Sequence, residues 1–133
     1  MYLLDTDICI YLLNGKAPGI ARRLRGLAQR MVATSAITAA ELHYGALHSA
    51  QPGRNLQRVQ TFLAPLQRIP FGDEAAEQFG RIKQALAATG SLIGPIDLLI
   101  AATAVDAGAR LVTNNRNEFA RIEALELADW PIA

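Results

Sequence analysis

Asp5, Glu41 and Asp97 are the residues whose types and positions point most directly to chemistry. Each is an isolated acid, and each stands where a short apolar run or a Gly-Pro break gives way to a helix-like pattern. In an α/β fold such junctions gather residues from distant parts of the chain at one end of the sheet. Carboxylates brought together repel one another, so a cluster of them calls for a cation. Three carboxylates around a divalent ion suit attack by activated water on a phosphodiester.

Each acid also has a purely structural reading. Asp5 suits the cap of a helix beginning at Thr6. Glu41 has the spacing of the reciprocal member of a capping box opened by Thr38. Asp97, two residues after Pro95, complements a helix dipole. The two readings are compatible, because helix N-termini carry partial positive charge and can hold acids together. Hard oxygen donors without paired histidines or cysteines favour Mg²⁺, or Mn²⁺, over zinc. There is no glycine-rich phosphate loop and no paired-histidine zinc motif. His43 and His48 do not align on one helix face and read as surface or interface residues. Cys9 reads as a small core residue; a lone cysteine excludes an internal disulfide and suits a reducing cytosol.

The elements that must position these acids alternate between short apolar runs and helical patterns. Residues 2–4 form a first strand ending at Asp5, and residues 6–13 a short helix closed by Asn14-Gly15. Pro18 opens a helix through about Gln29, and residues 31–34 are a second strand. A capping box at Thr38 leads into a helix through His48, with Gln51-Pro52-Gly53 as a break. A helix over about 54–65, a strand over 68–71 and a long amphipathic helix over 73–88 follow. Gly94-Pro95 starts a helix that ends near Gly108, and residues 111–113 are a buried strand. Residues 124–127 read as a last strand. This alternation predicts a single α/β domain over residues 1–133 with a parallel sheet between helical layers. Asp5 and the segment 113–115 then fall at strand ends, with Glu41 and Asp97 in first turns of neighbouring helices.

Composition narrows the class. Hydrophobic residues make up 51% of the chain, enough for a full core with a surplus that suits a subunit or partner interface. No apolar stretch is long enough to span a bilayer, and the acid at position 5 argues against a signal peptide. Thirteen basic against twelve acidic residues exclude a general polyanion binder. Lys16, Arg22, Arg23, Arg25 and Arg30 lie close together, as either a local RNA-facing patch or a solvated helix face.

Four segments in order carry a resemblance: Met1 to Asp7, Ser35 to Leu42, Ile93 to Ala102 and Leu111 to Phe119, with Asp129-Trp130 at the end. Over nearly its whole length the chain resembles the VapC-type toxins of bacterial type II toxin–antitoxin systems, which are PIN-domain ribonucleases. The resemblance implies a three-layer α/β/α fold with a short central parallel sheet and Mg²⁺-dependent endonucleolytic cleavage of RNA, often structured RNA such as tRNA. It implies a cognate antitoxin whose C-terminal segment blocks the site, and a homodimer. Asp5, Glu41 and Asp97 match the family's acidic metal-site residues, with Asp5 and Asp97 as direct ligands and Glu41 acting through water or on the nucleophile. The family's fourth acid falls at Asn115, an amide. Either Asn115 holds a water or Glu118, one helical turn later, takes the role. Asp7 stands where the family usually has asparagine, and is either an added charge for the metal or a helix-start residue.

Two other readings remain at this level. Leu4-Asp5-Thr6-Asp7 resembles the first motif of haloacid-dehalogenase-type phosphatases, but Ile8-Cys9 replaces their glycine-threonine pair. The amide at position 115 also fits a catalytically weak or dead binding module.

Overall fold

The computed structural model describes all residues 1–133. Four short strands, β1 (Tyr2–Leu4), β2 (Val32–Ser35), β3 (Gln67–Ile69) and β4 (Arg110–Val112), form one sheet in the order β3-β2-β1-β4. All pairs are parallel, with Leu3 opposite Ala33 on one side and Leu111 on the other. The helices are α1 (Thr6–Leu13), α2 (Pro18–Arg25), α3 (Ala36–Leu47), α4 (Pro52–Leu63), α5 (Asp73–Ala88), α6 (Pro95–Ala107) and α7 (Arg116–Phe119).

Strands buried on both faces need apolar residues at successive positions, and alternate side chains then serve different cores. Leu3, Ala33 and Leu111 join Ile82, Leu86, Ile100 and Phe119 on one face. Leu4, Val32 and Val112 join Ile8, Ile20, Leu42, Val59 and Trp130 on the other. The expected three-layer α/β/α arrangement is therefore present, with α5 and α6 on one side and α1, α2 and α4 on the other.

Strand order places the site. The chain steps outward from β1 through β2 to β3, then returns to add β4 on the opposite side of β1. In open α/β sheets such a reversal is where a crevice forms, here beyond the carboxyl ends of β1 and β4. Asp5 follows β1, its N–H bonded to the Val112 carbonyl at the end of β4. α6 reaches the same end through Gly94-Pro95, with proline at the first helical position, where its missing N–H costs nothing. The helix is closed by Gly108 at φ +63°, a left-handed conformation that glycine adopts without strain.

Several expectations are corrected. α2 stops at Arg25, not near Gln29: Gly26 ends it, and Gln29–Met31 is a separate 3-10 turn. Thr38 does not open α3. Ser35, the last residue of β2, is the cap, its hydroxyl accepting from the Thr38 N–H. Glu41 consequently sits in the second turn and caps nothing. Pro52 begins α4 rather than interrupting the chain. Residues 124–127 form no strand. Only Leu127 bridges to Leu111, because the chain then turns away and brings Trp130 against Tyr2, ring centroids 4.6 Å apart. The tail continues beneath α2, where a side chain on Gly19 would collide with the carbonyls of Pro131 and Ala133.

Candidate active site

Asp5 is the centre of the site because the sheet leaves it no alternative. It caps α1, accepting from the Thr6 N–H at 2.6 Å through Oδ1. Its Oδ2 accepts from the Thr113 hydroxyl, also at 2.6 Å. Asp5 is 3% exposed, and burial pushes its carboxyl up to about 6 despite both hydrogen bonds, with the charges of Asp7 and Asp97 adding to the rise.

Asp97, in the first turn of α6, is half-buried. Burial first, then the charges of Glu118, Asp7 and Glu41, raise its carboxyl above the ordinary value. The Asn115 amide lies 3.5 Å from Asp97 Oδ2 and donates to Glu118 Oε2 at 3.0 Å. The Asn115 N–H in turn donates to the Thr113 hydroxyl at 3.0 Å. Glu41 reaches the cluster from α3, where Oε1 accepts from the Thr6 hydroxyl at 2.7 Å. One continuous polar network thus runs from Glu41 through Thr6, Asp5, Thr113 and Asn115 to Glu118, with Asp97 beside it.

The acids expected from sequence are all drawn to the same crevice, and Asn115 and Glu118 both belong to it. One element of the expectation changes. As they stand, no three acidic side chains converge closely enough to share one ion. Each is bonded instead to a neutral donor: Glu41 to Thr6, Asp5 to Thr113 and Glu118 to Asn115. The donor set still fits Mg²⁺, which takes one or two carboxylates, keeps several waters and requires oxygen ligands. Asp5 and Asp97 are the carboxylates with raised values, so they gain most from a cation. Asp7 is exposed on α1 and makes no side-chain hydrogen bond, but its charge raises both.

Sequence reasoning missed the hydroxyls. Thr6, Ser35, Thr38 and Thr113 are buried and hydrogen-bonded around the acids. The available signal was a hydroxyl residue at or just beyond the end of β1, β2 and β4. Both histidines lie outside the network: His43 bonds the Ala39 carbonyl and His48 stacks on Tyr44. Cys9 is buried, and its thiol is pushed up to about 12 by that burial, as suits a core residue.

An all-parallel sheet with acids at its topological reversal defines a class, and the comparisons agree with it. The PIN-domain profile matches residues 2–125, and the chain belongs to the PIN-domain family. It is 41% identical over 129 residues to the ribonuclease VapC2 of Haemophilus influenzae, covering 97% of each chain. It is 39% identical over 129 residues to the tRNA(fMet)-specific endonuclease VapC of Salmonella typhimurium, again 97% of each. Among solved structures, VapBC2 of Rickettsia felis bound to a DNA fragment from its promoter superposes with TM-score 0.90 at 37% identity, covering 97% of this chain and 98% of that one. DNA-bound VapBC from Salmonella typhimurium gives 0.92 at 38% identity, with 97% of both covered. The resemblance to VapC-type toxins read from sequence therefore holds across the fold, and the phosphatase alternative falls away.

Proposed function

We propose that this chain is a Mg²⁺-dependent endoribonuclease, the toxin of a type II toxin–antitoxin pair, with residues 1–133 as one catalytic unit. The observation that carries the reading is the acidic crevice itself: Asp5, Glu41, Asp97 and Glu118 brought together with no basic side chain paired to any of them. Such a site attracts a cation and would repel an RNA phosphate without one.

A bound divalent ion would supply charge neutralisation at the phosphate and an activated water. Asp5 and Asp97, the two acids whose carboxyls are raised, would be the residues that hold it. Glu41, fixed through one oxygen by Thr6, would keep its other oxygen for a water bound to that ion, and so contribute to holding the ion as well as to orienting the nucleophile. Asn115 fills the fourth position by donating its amide to Glu118, which keeps that carboxylate turned toward the crevice. Mn²⁺ has the same oxygen preference and substitutes for Mg²⁺.

The substrate is RNA, structured RNA such as tRNA being favoured by the specificity named for the Salmonella relative. The partner is a cognate antitoxin, as in the VapBC complexes that share this fold. Exposed apolar side chains on α3, Tyr44 at 67% and Leu47 at 62%, support a homodimer. No helix is long and apolar enough to cross a membrane, and a free buried Cys9 suits the cytoplasm.

The test is purified protein incubated with total RNA in Mg²⁺, Mn²⁺ or chelator, followed by mapping of cut ends. Discrete metal-dependent cuts, lost in Asp5→Asn and Asp97→Asn, are expected. Retained RNA affinity with no cutting in any metal would instead support the binding-module reading.

A further inference from the structure

A chain of three buried hydroxyls ends on Glu41, and its direction can be worked out. Thr6 Oγ1 donates to Glu41 Oε1 at 2.7 Å. A hydroxyl has one proton, and a carboxylate only accepts, so that proton is spent. Thr6 Oγ1 also lies 3.0 Å from Thr38 Oγ1, and in that pair Thr38 must therefore be the donor. Thr38 in turn accepts from the Ser35 hydroxyl at 3.2 Å. Ser35 accepts from the Thr38 N–H at 2.9 Å, which closes the chain at the cap of α3. Every proton points toward Glu41. Ser35 and Thr38 are fully buried and Thr6 is 8% exposed, so water does not compete for these bonds.

Thr6 is the joint of this arrangement. Its backbone N–H holds Asp5 Oδ1 while its hydroxyl holds Glu41 Oε1, a residue 35 positions away on another helix. The two acids repel one another and reach the crevice from separate places, the β1–α1 junction and α3. One residue sets the spacing between them. Hydrogen bonds to a carboxylate acceptor are shorter and about twice as strong as neutral ones, so the ordered hydroxyls hold the Glu41 side chain firmly in place.

We propose that Thr6, oriented by Thr38 and Ser35, is a positioning residue that clamps Glu41 at a set distance from Asp5 for cation binding. This rests on the metal-dependent reading above. Thr6 touches neither the ion nor the substrate; it acts through Glu41.

The experiment is calorimetric titration of the purified protein with Mn²⁺, without RNA. Thr6→Val keeps the side-chain shape and the N–H to Asp5 but removes the hydroxyl. It should weaken Mn²⁺ binding by about 10-fold or more, the usual cost of losing a group that orients a metal ligand. Thr6→Ser should recover most of that loss. In a Glu41→Gln background, Thr6→Val should cost nothing further, because the clamped charge is gone; a merely structural role would make the two losses multiply. Should Thr6→Val fail to fold, Thr38→Val breaks the same chain one bond earlier and should weaken Mn²⁺ in the same direction. Wild-type protein that takes up no Mn²⁺ would overturn the metal reading and the clamp together. Wild-type binding matched by Thr6→Val, or multiplying losses in the cycle, would overturn the clamp alone.

Discussion

The Thr113 hydroxyl donates to Asp5 Oδ2 at 2.6 Å across 108 residues of sequence. The contact joins the ends of β1 and β4, the two strands where the chain reverses its direction of growth. Even with this bond and the Thr6 N–H, the Asp5 carboxyl stands at about 6 against an ordinary 3.8. Charge at this position is therefore costly to the fold.

Asp5→Asn should stabilise the metal-free protein while abolishing cleavage. The folded value lies above the unfolded one, so ionised Asp5 destabilises the native state. The penalty is absent below pH 3.8, grows as pH rises and is complete above about 6. A shift of this size corresponds to about 3 kcal/mol, reduced by the imperfect fit of an amide to the Thr113 donor. A rise in Tm of roughly 5 °C at pH 7 in chelator, shrinking to nothing near pH 4, is the expected result. Thermal melts across that range check it, and a lower Tm at pH 7 would refute it.

Divalent metal should do by binding what the substitution does by deletion. At a free Mn²⁺ concentration a hundredfold above Kd, the wild type should gain on the order of 3 kcal/mol. The gain should be largely lost in Asp5→Asn and Asp97→Asn. Equal gains in all three proteins would place the ion elsewhere.

Asn115→Asp should separate stability from activity in the opposite sense. It replaces a donor to Glu118 with a third negative charge beside Asp97. Without metal the variant should lose about 1–2 kcal/mol. With metal it should bind Mn²⁺ more tightly and retain or exceed wild-type cleavage. A fully inactive variant would show that the amide has a role of its own.

The basic helix α2 should set part of the salt dependence of RNA binding. Arg22, Arg23 and Arg25 are exposed, although Arg22 also donates to the Ala133 carbonyl and Arg23 lies over Trp130. Replacing all three with Gln should lower the slope of log affinity against log salt by about 2 to 3, for three phosphate contacts. An unchanged slope would mean that RNA docks on another face.

How far the sequence revealed these relationships depended on whether the cause was local. The limits of α5 at Asp73 and Ala88 were readable because an amphipathic stripe and Gly90 lie within the segment. So were the Gly94-Pro95 start and the Gly108 end of α6. Glu41 was misread for the converse reason. Its spacing from Thr38 imitates a capping box, while its true partner, Thr6, is fixed only once α1 and α3 pack together. Ser35 was hidden because a strand's last residue also served as a helix cap. The acids were found by type, but how they are held is a property of tertiary contacts between hydroxyls that resemble ordinary loop residues in the sequence.

The molecule's single salt bridge, Arg110 with Glu126, is exposed and uses none of the crevice acids. The crevice acids therefore have no basic partner within the chain. On the metal-dependent reading, a newly made chain that has not yet met an ion would be the least stable form of the protein. Survival of the toxin and readiness to act would then be set by the same event.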